Sequence, residues 1–147
     1  TPGLPKTRGA TALHISLPLP PKTTYETGQV LCQIVATIGA TKDPKFATVE
    51  RFVKRRPRGT VYVDYLQNIL GKTIATAYSA RASDFAGVST PLTWDEVEEG
   101  VSNKDFTLLT YRARFRANGD LWKKVRTLKP VNIVKVLAKM ERAGVTG

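Results

Sequence analysis

Along the chain, the spacing of apolar residues predicts strands and helices in alternation. Apolar and polar residues alternate over residues 13–17, a pattern typical of a strand, and a proline-rich segment ends it. A helix is expected next, because apolar residues recur every three or four positions from Val30 to Ile38. Thr23 or Thr24 can cap its beginning, and Gly39 can end it.

The remainder of the chain continues this mixed pattern. The expected elements are, in order, a shorter helix over 45–55, strands over 60–65 and 73–78 that are consistent with a hairpin, a short acidic helix ending at Glu99, a strand over 106–115, a turn over 118–120 and a helix over 131–143. The acidic helix begins with a capping box, in which Thr93 is the cap and Glu96 lies three residues on. No internal repeat or linker stands out, so an α/β or α+β fold in a single domain over residues 1–147 is predicted.

Charge narrows the class of partner. The chain carries 23 Lys and Arg against 12 Asp and Glu, which gives a net charge of +11 and favours nucleic acid first and an anionic membrane second. Basic residues are concentrated at 54–58 and between positions 112 and 142. On the predicted strand, Arg112, Arg114 and Arg116 would share one face. We therefore predict DNA phosphate contacts at Arg55, Arg56, Arg112 and Arg114, with a merely solvated basic surface as the alternative.

Composition also excludes several classes. The hydrophobic fraction of 41% and the charged fraction of 24% are those of globular proteins, so wholesale disorder is excluded. A single cysteine, Cys32, excludes an intramolecular disulfide and a cysteine-rich zinc site. A catalytic histidine could only be His14. No apolar run approaches the ~20 residues that span a bilayer and no signal peptide is visible, so the cytoplasm is the expected compartment and no membrane is expected as a partner.

Several residues could carry chemistry. Asp64 interrupts an apolar and aromatic strand, and it is either a Mg²⁺ or Mn²⁺ ligand or an acid on the wet face of that strand. Lys72 and Arg81 could hold phosphates, the arginine in a bidentate manner. The small-residue loop before the first strand could cradle a phosphate, although it is not a Walker A loop. His14 either donates to that phosphate or is a half-buried structural histidine.

Five segments carry a resemblance to a known family. They are residues 6–15 (KTRGATALHI), 61–68 (VYVDYLQN), 71–73 (GKT) with 78–82 (YSARA), 88–97 (VSTPLTWDEV), and 106–107 with 119–122 (FT and GDLW). In this order they resemble the polymerase domain of bacterial DNA ligase D, a member of the primase-polymerase superfamily. The first segment is similar to the K-T-S-G-G-K-G-L-H-V segment of that family. The resemblance covers most of the chain and implies a primase-polymerase-like fold with a mixed, largely antiparallel sheet flanked by helices.

The resemblance also implies a function. The family performs template-directed nucleotidyl transfer during end-joining repair, with two divalent ions, Mg²⁺ or Mn²⁺, held by carboxylates. Asp64 matches the third metal-site aspartate, Arg81 a triphosphate-binding arginine and His14 the family histidine, and Gln67 lies in the motif around the site. The implied partners are DNA with ends or gaps, nucleoside triphosphates, a ligase domain and an end-binding repair protein.

Two departures from the family pattern limit this expectation. Arg8 stands where the family has serine and Thr11 where it has lysine, so Arg8 could supply the missing charge with a different geometry. The family's D-x-D metal pair occurs nowhere in this sequence. We therefore expect the chain to resemble the C-terminal half of the domain, to be inactive as a polymerase by itself, and to cover exposed sheet surface by self-association. The alternative is a non-catalytic, basic DNA-binding or scaffolding module with a degenerate primase-like fold.

Overall fold

The computed structural model describes residues 3–142, which divide into two compact units. The first unit contains residues 3–18 and Ile74–Val131, and the second contains Leu19–Thr73 and residues 132–142. The regular elements, in chain order, are β1 (Leu4–Thr7), β2 (Leu13–Ser16), α1 (Tyr25–Lys42), β3 (Ala47–Thr48), β4 (Val61–Tyr62), α2 (Trp94–Glu99), α3 (Tyr111–Asn118) and α4 (Ile133–Arg142). The predicted mixed α/β class is confirmed. Within the described residues, no helix is both long enough and apolar enough to traverse a bilayer.

In the first unit, an antiparallel backbone ladder is built around β1. One edge of β1 pairs with β2, which confirms the first predicted strand, and the register places Lys6 opposite His14. Along the other edge runs the stretch 88–92, where the Thr7 amide donates to the Thr90 carbonyl at 2.8 Å. Residues 78–81 continue the ladder, with the Arg81 amide donating to the Gly87 carbonyl at 2.8 Å. The core of this unit lies under the ladder, where Val88, Leu92 and Phe106 are buried.

The capping box of α2 is present as predicted. The Glu96 amide donates to Thr93 Oγ1 at 3.2 Å, and the Thr93 amide donates to a Glu96 carboxylate oxygen at 2.8 Å. The Trp94 indole N–H donates to the Gly3 carbonyl at 2.8 Å, which ties the start of this helix to the chain just before β1. Although α2 has only six residues, its position is therefore fixed by bonds at its first turn.

The predicted strand over residues 106–115 is wrong, because α3 begins at Tyr111 and occupies the second half of this segment. Tyr111 and Phe115 are one helical turn apart, and both rings contact the Tyr78 ring, with centroids 5.7 and 5.4 Å away. Alanine and arginine between them are good helix formers. Packing of the two aromatic rings from one helical face against Tyr78 therefore outweighs the alternation that suggested a strand. The predicted turn follows, with Gly119 at φ +66° directly after the helix.

In the second unit, α1 confirms the predicted helix but runs further than expected. Thr24 is the N-cap and accepts a hydrogen bond from the Thr27 amide at 3.2 Å. The helix continues through Gly39 to Lys42, and the Asp43 amide donates back to the Gly39 carbonyl at 3.1 Å. Gly39 does not have the positive φ of a helix-terminating glycine, so the predicted end at this residue is wrong.

The predicted helix over residues 45–55 is also wrong. Its residues form β3 and a single 3₁₀ turn, Val53–Arg55. β3 pairs in parallel with β4, and the Val61 amide donates to the Phe46 carbonyl at 2.7 Å. Residues 60–65 thus contribute only the two residues of β4 to a strand, and 73–78 form none, so the predicted hairpin is wrong. α4 confirms the last helix through residue 142, and residue 143 lies outside the described residues.

Candidate phosphate-binding site

A buried lysine lies at the centre of the first unit. Lys6, in β1, is only 2% exposed, and its Nζ donates to Ser89 Oγ at 2.8 Å. The same Nζ lies 3.2 Å from Nδ1 of His14. His14 is half-buried and faces Lys6 because the two residues are direct partners in the β1–β2 register. The register of the hairpin therefore holds an ammonium against an imidazole.

Buried hydroxyl groups hold the backbone around this lysine. Thr7 Oγ1 donates to the Val88 carbonyl at 3.0 Å and accepts from the Thr90 amide at 2.9 Å. Ser89 Oγ donates to the Thr7 carbonyl at 2.9 Å. The side chains of Thr7 and Ser89, like that of Lys6, are almost fully buried, and each has its partners, so the network rigidifies β1 against the stretch 88–92.

The loop between β1 and β2 lies against the Arg81 side chain and carries Arg8. Gly9 has φ +75°, and a Cβ added there would lie 2.5 Å from Arg81 Cγ. A Cβ on Gly87 would in turn collide with the Gly9 carbonyl oxygen. Glycines at these two positions allow the loop and the Arg81 side chain to approach closely. Arg8 is exposed on the loop, and its amide donates to the Ala12 carbonyl at 2.9 Å.

The resulting cluster is strongly cationic. Burial, together with the neighbouring charges of Arg81 and Arg8, lowers the pKa of Lys6 to about 8. Within residues 3–142, the recorded ion pair joins Arg114 to Glu96, so no carboxylate of this part of the chain is paired with Lys6, Arg8 or Arg81. A bound anion would offset the repulsion among these positive charges. The predicted phosphate residues Arg8, His14 and Arg81 are thus brought together in the first unit.

The remaining predicted nucleotide and metal residues belong to the second unit. Asp64 is exposed and lies two residues beyond the end of β4. Its Oδ1 accepts from the Leu66 amide at 2.9 Å and from the Tyr62 hydroxyl at 3.4 Å. It therefore closes a local turn, as aspartate commonly does, and does not lie inside a strand. Gln67 and Lys72 are exposed in the segment that follows.

The described residues do not by themselves fit a divalent metal ion. In the range 3–142, no three side chains of the His, Cys, Asp or Glu types converge as a ligand set. Asp64 alone offers one carboxylate, and a two-metal site needs several carboxylates around ions about 4 Å apart. The metal role of Asp64 therefore stays a prediction.

The two arginines predicted near residue 55 differ in their surroundings. Arg55 is exposed, with its guanidinium 5.2 Å from the centre of the Phe52 ring. Arg56 lies 4.4 Å over the Tyr62 ring and donates to the carbonyls of Glu50 and Arg51 at 3.2 and 3.0 Å. Arg56 thus has a structural role in the segment before β4, whereas Arg55 is open to a phosphate.

The arginines of α3 do not share a face, which corrects the strand-based prediction. Arg114 is half-buried and forms a two-pronged ion pair with Glu96, and it also donates to the Pro91 carbonyl at 3.0 Å. Its guanidinium lies 5.0 Å over the Phe106 ring. Arg112 and Arg116, four residues apart, are exposed. Arg112 and Arg116 therefore offer charge to solvent, and Arg114 fixes α3 to α2.

Sequence reasoning missed the central place of Lys6 and Ser89. Both lie in the motifs that carry the family resemblance, but the burial of Lys6 depends on the ladder of β1 with residues 88–92. The signal that could have found it is the pairing of β1 with β2 across a short loop, which puts Lys6 opposite His14. Tyr78 was missed as well: it has φ +67°, and its hydroxyl donates to Asp120 at 2.6 Å.

Comparison with known proteins identifies the class of the fold. The mixed α/β fold is that of the primase-polymerase class. The model of the LigD primase-polymerase domain matches residues 1–122. The chain belongs to this family. The family is in general metal-dependent.

Individual relatives give the extent of the similarity. The chain is 34% identical over 116 residues to the bifunctional non-homologous end joining protein LigD of Bacillus subtilis, and 34% identical over 95 residues to the multifunctional LigD of Mycolicibacterium smegmatis. These alignments cover 78% and 65% of this chain but 19% and 12% of the relatives. The solved polymerase domain of Mycobacterium tuberculosis ligase D, in complex with DNA, superposes with a TM-score of 0.76 at 27% identity. That match covers 87% of this chain and 44% of the solved chain, so this chain spans less than half of the solved domain.

Proposed function

We propose that this chain supplies a phosphate-binding surface of a ligase D-type polymerase domain that acts in DNA repair by non-homologous end joining. In this role, Arg8, His14 and Arg81 bind the triphosphate of a nucleotide around the buried Lys6. Family membership supports the class of reaction. The observation that carries the ligand is the cation cluster of the first unit, whose lysine and arginines have no carboxylate partner among the described residues.

Phosphate suits this cluster better than a neutral ligand does. Guanidinium groups bind phosphate oxygens through paired N–H donors, and an ammonium binds them as a point charge. The loop from Arg8 to Ala12 has small residues, so its backbone does not obstruct an approaching anion. Lys72 and Gln67 belong to the second unit, and the nucleotide contacts proposed for them rest on the family motif around them.

DNA binding is proposed for the exposed arginines. Arg55, Arg112 and Arg116 are solvent-exposed cations in a chain of net charge +11, and they make no recorded ion pair within residues 3–142. Such residues bind phosphates of the nucleic-acid backbone without reading sequence. Arg56 and Arg114 were also predicted to bind DNA, and we propose that they support the neighbouring backbone instead. A ligase domain, an end-binding protein and a second copy of the chain stay predictions.

Nucleotidyl transfer itself needs more carboxylates than Asp64. The sequence has no D-x-D pair, so we propose that the chain binds nucleotide and DNA but does not transfer nucleotides unaided. Asp64 is proposed to act as a ligand of Mg²⁺ or Mn²⁺ only when further carboxylates are supplied. If an enzyme completed with those carboxylates still incorporated nucleotides after Asp64→Ala, Asp64 would not be a metal ligand.

The test of the proposal is a calorimetric titration of ATP into the full chain without added metal. We expect saturable binding that weakens about tenfold in Arg81→Gln, because one charge-assisted pair of hydrogen bonds is lost. Arg126→Gln is the matched control, since Arg126 is exposed in the same unit, and it should bind as the unaltered chain does.

The same variants separate the proposal from its alternative. A non-catalytic DNA-binding module would bind DNA with an affinity that falls linearly with the logarithm of the salt concentration, and it would not bind ATP. Absence of saturable ATP binding, or equal losses in Arg81→Gln and Arg126→Gln, would favour that alternative. DNA binding that does not respond to salt would contradict both functions.

A further inference from the structure

We propose that Lys6 is a positioning residue that fixes the tautomer of His14, so that the imidazole carries its proton on Nε2 and presents it to a bound phosphate. The phosphate part of this inference rests on the function proposed above. The tautomer part rests only on the hydrogen-bond network of the first unit and can be tested without any ligand.

The argument starts from the single proton of the Ser89 hydroxyl. Ser89 Oγ donates that proton to the Thr7 carbonyl at 2.9 Å. Toward Lys6, 2.8 Å away, the same oxygen can therefore only accept, and Lys6 Nζ is the donor. This fixes the orientation of the ammonium group at one of its three N–H bonds.

The next step concerns the contact between Lys6 and His14. Nζ lies 3.2 Å from Nδ1 of His14, and an ammonium has three donors and no acceptor. Nδ1 must therefore present a lone pair, because two N–H groups facing each other at this distance would repel. A neutral imidazole with an unprotonated Nδ1 carries its proton on Nε2.

The donor role of Lys6 requires its charged form. Arg8 and Arg81 are the charged groups that act on Lys6, and no carboxylate of residues 3–142 is paired with these three cations. The pKa of Lys6, lowered to about 8 by burial and by these arginines, still leaves the amine mostly as ammonium at neutral pH, so its donor role holds there.

The geometry leaves little freedom for another arrangement. Lys6 and His14 are paired across β1 and β2, and Lys6 is 2% exposed, so its ammonium cannot turn out to solvent. An Nδ1–H tautomer would place a lone pair on Nε2, which would repel a phosphate oxygen. Fixing the tautomer in advance therefore removes one cost of binding an anion.

The experiment uses the fact that His14 is the only histidine of the sequence. Two-bond ¹H–¹⁵N correlation spectra of the ¹⁵N-labelled full chain at pH 7 then report a single ring without assignment. We expect a pyrrole-type Nε2 and a pyridine-type Nδ1. In Lys6→Met, which keeps the length of the side chain, we expect the two nitrogens to move toward averaged values.

A matched control and a ligand titration complete the test. Lys104→Met removes the charge of an exposed lysine in the same unit and should leave the ring unchanged. Inorganic pyrophosphate should bind Lys6→Met about tenfold more weakly than the unaltered chain, as expected for one lost hydrogen bond to a charged group. The tautomer is the readout that distinguishes positioning from simple loss of charge.

Two outcomes overturn the proposal. One is a protonated Nδ1 or averaged nitrogens in the unaltered chain, a measurement that does not depend on the folding of any variant. The other is an unchanged tautomer in a folded Lys6→Met. If the unaltered chain has the Nε2–H tautomer but does not bind pyrophosphate, the tautomer assignment is supported and the phosphate-binding function is refuted.

Discussion

Replacing Glu96 with glutamine tests how α2 and α3 are held together. The Arg114 and Glu96 side chains are 17% and 23% exposed, and they form a two-pronged pair in which the second contact is 2.8 Å. A hydrogen bond to a charged group contributes roughly 1.5–3 kcal/mol when it is partly buried. Glutamine keeps the capping contact with Thr93 and one contact with Arg114 but loses the charge. We therefore expect Glu96→Gln to lower the free energy of unfolding by about 2 kcal/mol at pH 7.

The pH dependence of this loss follows from the pKa of Glu96. Burial acts to raise that pKa, but the hydrogen bonds and charge of Arg114 and the Thr93 amide outweigh burial, and the pKa is lowered. A carboxyl with a lower pKa in the folded than in the unfolded state contributes stability above its unfolded value, and that contribution is lost as the pH falls through the folded value. The difference between the unaltered chain and Glu96→Gln should therefore be complete at pH 7 and shrink in acid.

Urea unfolding at pH 7 and at pH 3, with a double-mutant cycle that includes Arg114→Met, measures both quantities. Glu98→Gln is the control, because Glu98 is exposed on the same helix and should change stability by no more than about 0.5 kcal/mol. A coupling energy below about 0.5 kcal/mol in the cycle, or a deficit of Glu96→Gln that stays undiminished at pH 3, would refute the reasoning.

Three further changes test other parts of the structure. Gly9→Ala should lower the free energy of unfolding by about 2 kcal/mol and weaken pyrophosphate binding. Gly59 also has a positive φ but open space around it, so Gly59→Ala should lower the free energy of unfolding by only about 1 kcal/mol. Tyr78→Phe should lower the free energy of unfolding by about 1–2 kcal/mol. Because burial and the hydrogen bond to Asp120 raise the pKa of Tyr78 to about 12, that contribution should be complete below pH 10 and decline above it, as measured by alkaline unfolding. Changing Arg112 and Arg116 together to glutamine should reduce the salt slope of DNA binding by up to about 2, measured by fluorescence anisotropy, without lowering the melting temperature.

The fold was predictable where local rules and burial agree. The capping box of α2, the cap of α1 at Thr24 and strand β2 were all found from residue patterns, because each depends on neighbours a few positions away. The wrong predictions fall on segments whose residue pattern fits both the two-residue period of a strand and the period of a helix. The segment 106–115 alternates like a strand, yet Tyr111 and Phe115 pack as a helical pair on Tyr78, which is distant in sequence. Such a contact decides the structure and is not visible locally.

The sequence predicted part of the candidate site but not its organisation. The family motifs pointed to His14 and Arg81, Arg8 departs from the motif, and the structure places all three near Lys6. The burial of Lys6 depends on pairing between β1 and a stretch more than eighty residues away, which no local pattern contains. For Asp64, the sequence left open a metal ligand or an acid on the wet face of a strand. Only two residues of that segment form a strand, and the carboxylate lies exposed after it.

The buried lysine leads to a last prediction about pH and ligand together. Its pKa falls from 10.5 to about 8, so the charged form costs the free protein roughly 3 kcal/mol at pH 7, and this cost disappears above pH 10.5. A bound anion beside the cluster lowers that cost only while Lys6 is charged. Pyrophosphate should therefore raise the melting temperature more at pH 7 than at pH 9.5. The ionisation of pyrophosphate itself would have the opposite effect, since the ligand gains negative charge as the pH rises. An equal or larger increase at pH 9.5, or the same pH dependence in Lys6→Met, would show that Lys6 does not couple protonation to anion binding.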